Sequence, residues 1–126
     1  MSIPNNLKYT KEHEWVLVEG SIGTIGVTDY AQGELGDVVY VDIDPAISEI
    51  KKGESIGTIE AVKTVSDIFA PYSGKVIEIN NAVKDSPEIV NTDPYGKGWM
   101  IKIEINNPAD LEDLLDASAY QALIGQ

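Results

Sequence analysis

The clearest chemical possibility in this chain rests on one lysine. Lys63 lies in Glu60-Ala61-Val62-Lys63-Thr64-Val65-Ser66-Asp67, between two strand-like runs. Gly53, Gly57 and Gly74 frame those runs, and Ala70-Pro71-Tyr72-Ser73-Gly74 closes the second with strong turn chemistry. That spacing puts an amine at a hairpin tip, where it can be modified without disturbing a core. A covalent cofactor on Lys63, with the protein as its carrier, is therefore the first chemistry to consider. Taken alone, a lysine on a turn is a weak motif and reads first as an ordinary surface lysine.

Composition narrows the classes. With 126 residues and 43% hydrophobic content, positions 1–126 suffice for one domain with a real core and are too few for two. No apolar run approaches the roughly 20 residues that span a bilayer, so no membrane role is expected. The start, Met1 to Asn6, has no basic segment followed by an apolar stretch. The expectation is a cytoplasmic chain, or a mitochondrial one only if processed. There are no cysteines, which removes disulfides, thiolate nucleophiles and cysteine metal sites together. Any sulfur redox chemistry must be brought in. The net charge of -12 comes from 21 acidic residues against nine basic ones, all lysines. Nucleic-acid binding is disfavoured, because neutralising phosphates needs a cationic surface and arginine is the side chain shaped for them. The acidity suits solubility and docking on proteins with basic patches.

The elements that must position Lys63 are mostly β. Trp15–Val18 and Ile22–Val27 read as strands joined by a tight Glu19-Gly20-Ser21 turn. Thr28-Asp29 caps one helical turn, Tyr30 to Gln32, ending before Gly33. A strand Val38–Ile43 follows, ended by Pro45, and then Ile56–Ala61, the Lys63 turn, Val65–Phe69 and Val76–Ile79. Asn80 to Gly98 reads as a long loop with a helical turn at Pro87–Val90, and loops of this length are often functional. Trp99, Ile101, Ile103 and Ile105 alternate with Lys102 and Glu104, the pattern of a half-buried strand. Beyond Pro108, Asp110–Leu115 and Ala119–Ile124 have helical spacing, with Gly125 as a stop. The expected division is a β core over about 7–105 and a helical segment over about 108–124 packed on it.

One internal match bears on the lysine. Ser21-Ile22-Gly23-Thr24-Ile25 recurs as Ser55-Ile56-Gly57-Thr58-Ile59, and Gly36–Val41 resembles Gly74–Ile79. The interval between the paired segments is four residues longer in the second copy, which contains Glu60 to Lys63. This predicts two quasi-equivalent halves, one with a connection extended to present the lysine.

Glu60-Ala61-Val62-Lys63 with Ser66-Asp67, Ala70-Pro71 and Ser73-Gly74 resembles the lipoyl-attachment region of the glycine cleavage system H-protein family. Tyr9 to Val16 is similar to the family's N-terminal signature, and Ala31-Gln32 with Leu35-Gly36-Asp37 to its second. Asp85-Ser86-Pro87 through Asn91, and Trp99-Met100, match its C-terminal half. The resemblance runs from about Leu7 to Gly125, and several motifs agree in order and spacing. Ala61 departs from it, since many members place serine there.

The resemblance implies a lipoyl/biotinyl-type β sandwich, a barrel-sandwich hybrid, with a short helix in the N-terminal half and helices at the C-terminus. It implies a monomeric carrier with no catalysis of its own. Lipoic acid would be amide-linked to Lys63 by a lipoate ligase or a lipoyl/octanoyl transferase, supplying the dithiolane this chain lacks. The implied partners are a pyridoxal phosphate glycine decarboxylase (P protein), a tetrahydrofolate-dependent aminomethyltransferase (T protein) and dihydrolipoamide dehydrogenase (L protein). The arm would take an aminomethyl group from the first to the second and electrons to the third. It implies further that Glu14 and Asp67 contact the loaded arm, holding its protonated amine by charge-assisted hydrogen bonds. By sequence alone both are solvated acids. Glu60, three residues before Lys63, is a candidate for recognition by the lipoylating enzyme, or a solvent-facing strand residue.

Other readings compete. Biotin carriers present a lysine from the same kind of fold, usually between methionines, whereas Val62 and Thr64 flank Lys63. An H-like relay donating lipoyl groups to other complexes shares the lysine. A Schiff-base enzyme using Lys63 with Glu60 or Asp67 is disfavoured, because such lysines sit in desolvated pockets and this one reads as exposed. His13, the only histidine, reads as exposed or capping, since no nucleophile or metal-ligand set stands near it. Trp15, Trp99, Phe69 and the C-terminal leucines read as packing residues.

Overall fold

Short β-branched runs alternate with polar residues through most of this chain, a pattern that folds as strands buried on one face. The computed structural model describes residues 2–125, and in them these runs form nine antiparallel strands. They are β1 (Lys8–Tyr9), β2 (Glu14–Glu19), β3 (Ile22–Val27), β4 (Val38–Asp42), β5 (Glu49–Ile50), β6 (Ser55–Ala61), β7 (Val65–Phe69), β8 (Gly74–Ile79) and β9 (Ile101–Glu104). Six pair in the order β1-β2-β3-β9-β8-β5, and three pair as β4-β6-β7. The helices are α1 (Asp29–Leu35), α2 (Ala82–Asp85), α3 (Ile89–Thr92) and α4 (Ala117–Ile124), with a 3-10 helix at Pro108–Asp113. The expected mainly β architecture of two facing antiparallel sheets is what the chain forms.

Val41, Ile59 and Ile68 of the small sheet share a buried cluster with Ile25, Ile101 and Ile103 of the large one. Each such side chain contributes roughly 1.5–3 kcal/mol through removal from water. A second cluster joins Leu7, Tyr9 and Trp15 to Ala117 and Tyr120. Tyr9 stacks on Tyr120 with ring centroids 4.6 Å apart, which docks α4 against β1. This is the C-terminal packing the sequence predicts, although Leu123 stays exposed.

Several boundaries differ from expectation. α1 does not stop before Gly33 but runs through it to Leu35, because Thr28 caps it from Ala31 N–H and the turn that ends it lies at Gly36, φ +80°. The stretch from Asn80 to Gly98 holds two short helices rather than one turn, and Asp110–Leu115 gives way to the 3-10 helix. The two-residue strands β1 and β5 carry too few residues to show a period.

The repeated segments run into β3 and along β6, which lie in different sheets. From the first copy the chain reaches β4 through α1, and from the second it reaches β8 through the whole of β7. The copies are not equivalent, so the expectation of two matching halves is not met in this register. Their shared glycines have local causes instead: a side chain at Gly23 would collide with the Tyr72 ring, and one at Gly57 with the Asp42 carbonyl.

Gly33 lies in a helix with open space around its missing Cβ, whereas Gly57 does not. Gly57→Ala should therefore cost about 1–3 kcal/mol through overpacking, and Gly33→Ala should stabilise by about 0.5–1 kcal/mol. Urea denaturation of the two variants checks both signs.

Candidate functional site

Lys63 occupies the connection between β6 and β7, where Glu60 and Val65 are the last paired residues. Ala61 N–H donates to Thr64 O at 2.8 Å, closing the turn, and Val62 N–H donates to Asp37 O at 3.0 Å. The turn is thus tied to the segment that links α1 to β4. Lys63 is exposed, and among the described residues its ammonium enters neither an ion pair nor a hydrogen bond. Its stem crosses Gly36, where an added Cβ would stand 3.1 Å from Lys63 Cε. Glycine here serves two needs, the left-handed φ and room for the lysine stem.

A recess of about 240 Å³ opens where the β1–β2 turn, α1 and β7 meet. Glu12 and Glu14 line it from the turn and β2, Glu34 and Leu35 from α1, and Ser66 and Asp67 from β7. Leu35 adjoins Gly36, so Lys63 stands at the α1 C-terminal end of this recess. Four carboxylates and no lysine line it, an environment that favours a cation. Glu14 and Asp67 both line this recess, and Glu60 does not. Glu60 is exposed on β6, in a row with Tyr40 and Val65.

Glu14 is 2% exposed, which corrects the reading of it as a solvated acid. Thr10 Oγ1 donates to Glu14 Oε1 at 2.6 Å, and Phe69 N–H donates to Oε2 at 3.1 Å. Burial raises its pKa from 4.5 to about 7, the two hydrogen bonds opposing that rise. Asp67 is exposed, its Oδ1 accepting from Ser55 Oγ at 3.2 Å. Glu14 also lines a second recess of about 520 Å³, with Lys11, Lys52 and Leu114, which Lys63 does not line.

His13 departs from expectation. It is half-buried with φ +69°, lines the acidic recess, and places Nδ1 2.9 Å from the Tyr120 hydroxyl. Burial lowers its pKa. Tyr120 in turn lies 2.7 Å from Thr28 Oγ1, so α4 braces both the β1–β2 turn and the cap of α1. Thr10 and Gly36 are legible in the sequence only as members of motifs: Thr10 closes a local turn onto Glu14, whereas Gly36 meets Lys63 through tertiary contact. Among the described residues no cluster of acids and histidine fits a metal ion. Among the described residues no helix is long and apolar enough to cross a membrane.

The family model described as Glycine cleavage H-protein matches residues 7–126. A protein of Staphylococcus haemolyticus named Glycine cleavage system H protein is 53% identical over 126 residues, covering 100% of both chains. One of the same name from Symbiobacterium thermophilum is 54% identical over 121 residues, covering 96% of this chain and 94% of its own. The crystal structure of a glycine cleavage system H protein from Mycobacterium marinum superposes with a TM-score of 0.89 at 37% identity, covering 98% of this chain and 100% of that one.

Glu14 makes stability depend on pH. Below about pH 4.5 its carboxyl is protonated in both folded and unfolded chains. As pH rises the unfolded chain releases the proton first, so stability falls until the folded carboxyl titrates near pH 7. The loss should be on the order of 3 kcal/mol. Denaturant melts across this range should show the slope in the wild type and its absence in Glu14→Gln.

Proposed function

The chain belongs to the glycine cleavage H-protein family, and from that premise we propose that it carries lipoic acid, amide-linked to Lys63 Nζ. The observation that carries this reading is an unpaired, exposed amine on a pinned turn at the end of an acidic recess. When bound, the lipoyl group supplies a disulfide that accepts the aminomethyl group and the electrons of glycine decarboxylation. The protein catalyses nothing itself. It presents the arm to the pyridoxal phosphate decarboxylase, the aminomethyltransferase and dihydrolipoamide dehydrogenase in turn, with positions 1–126 acting as one carrier unit and monomer. Its named relatives are bacterial, and the working compartment on this reading is the cytoplasm.

The turn aims the arm, and the rotatable lysine stem lets its end enter different active sites at high effective concentration. Glu34, Asp67 and Glu14 line the recess beside α1 and are the carboxylates that would receive a cation at the end of such an arm. The amine end of the cargo is protonated at neutral pH. A cation brought near Glu14 would favour its ionised form, the proton passing to solvent, and the carboxylate would then be able to hold the amine. Asp67, exposed at the mouth, is the second acceptor. Glu60 lies within reach of any enzyme that closes over the turn, which supports its role in recognition by the lipoate ligase or lipoyl/octanoyl transferase.

Intact mass after co-expression with a lipoate ligase tests the carrier. A lipoyl adduct is expected on the wild type and not on Lys63→Arg; a biotin adduct after co-expression with a biotin ligase would favour the biotin carrier instead. With lipoylated protein, decarboxylase and glycine, ammonia should escape about tenfold faster from Glu14→Gln and Asp67→Asn when the aminomethyltransferase is omitted. Wild-type escape rates in both would remove the holding role.

A further inference from the structure

Asn91 on α3 uses both its amide hydrogens and its carbonyl oxygen on α1 and the segment that follows it. Its Nδ2 donates to Gly36 O at 2.8 Å and to Gln32 Oε1 at 3.0 Å, and its Oδ1 accepts from Val38 N–H at 2.9 Å. The orientation of the amide follows from chemistry: turned over, it would set oxygen against the Gly36 carbonyl and N–H against the Val38 N–H.

Asn91 spans Gly36-Asp37-Val38, holding the C=O of the first residue and the N–H of the third across the bend at Asp37. Asp37 O, between them, accepts the Val62 N–H at 3.0 Å. One tripeptide is therefore held between the α3 amide and the lysine turn. Gly36, clamped by Asn91, is also the residue over which the Lys63 stem passes.

We propose that Asn91 is a positioning residue for Lys63, fixing the height of the turn and the direction in which the lysine leaves it. The proposal rests on the carrier reading, since it assigns Asn91 an effect on acylation of that amine. Asn91 touches neither the amine nor the recess, so it acts only through Gly36, Asp37 and Val62. Asp at this position keeps the shape and forfeits both donors, and it sets a carboxylate against the Gly36 carbonyl.

The test is the steady-state kinetics of lipoate ligase on Asn91→Asp and Asn91→Ser, with Leu7→Ala as a control for destabilisation within the second core cluster. For both Asn91 variants, kcat should fall about tenfold at unchanged KM, because the docking surface is intact while the amine is misplaced. The Val62 amide should exchange with solvent about tenfold faster in the same variants. Acylation of Lys63 by a small reagent, which demands no fixed geometry, should stay at the wild-type rate. Leu7→Ala, and Gln32→Ala, which removes the Asn91 bond outside the tripeptide together with the Gln32 Nε2 bond to Asp29, should keep wild-type kcat. Wild-type kcat in both Asn91 variants would overturn the proposal, as would equal losses in Leu7→Ala or Gln32→Ala. If wild-type protein takes no adduct at Lys63, the carrier reading fails and takes this proposal with it; an adduct with undiminished kcat in the variants removes this proposal alone.

Discussion

A three-stranded sheet cannot cover the face of a six-stranded one, and the features around Lys63 follow from how the uncovered part is closed. The small sheet covers Ile25, Ile101 and Ile103. The β1 edge is covered by α4 and its tyrosine. Between these two covers, β2 and β7 approach without pairing, and a buried carboxyl bridges them. β7 is the edge strand of the small sheet, and its Phe69 N–H, turned away from β6, donates across the seam to Glu14. A charge could not be left in that position cheaply, and the raised pKa shows that burial outweighs the two hydrogen bonds. The recess is the part of the seam that α1 roofs.

How much of this could be read from the sequence depends on which contacts are local. β2, β3 and β7 are short runs whose own residues specify them, and they fold within a residue of expectation, whereas β9 is Ile101–Glu104 and does not include Trp99. α1 was cut short at Gly33 because glycine is a common stop signal, yet the signal that counts is the left-handed φ required at Gly36. The repeated Ser-Ile-Gly-Thr-Ile segments misled for a related reason. Each glycine answers a different neighbour, the Tyr72 ring in one case and a backbone carbonyl in the other, so identical residues report no common position.

The lysine turn was legible because turn residues surround it, and its exposure needed no tertiary knowledge. The recess was legible only in part. Glu14 and Asp67 lie far apart in sequence and share a recess solely because β2 and β7 meet at the seam. Thr10, which donates to Glu14 from the same turn, is local, but Phe69, its second donor, comes from a distant strand. His13 was misjudged in the same way, since its partner Tyr120 comes from the far end of the chain.

The charge balance of the recess also explains why it need not be filled by the protein's own cations. With Glu14 protonated or half-ionised, the empty recess carries less charge than its four carboxylates would imply, so no lysine is required there as a counterion. A resident lysine would compete with any incoming ammonium. Lys63 is one such amine, its stem lying beside Gly36 at the end of α1. On the proposed reading, acylation converts that amine to a neutral amide and removes the competitor. The reaction that builds the arm would then also make the recess more selective for a cation on the arm's far end. Attachment and retention become two consequences of one change in charge, which places the lysine at the end of the recess rather than inside it.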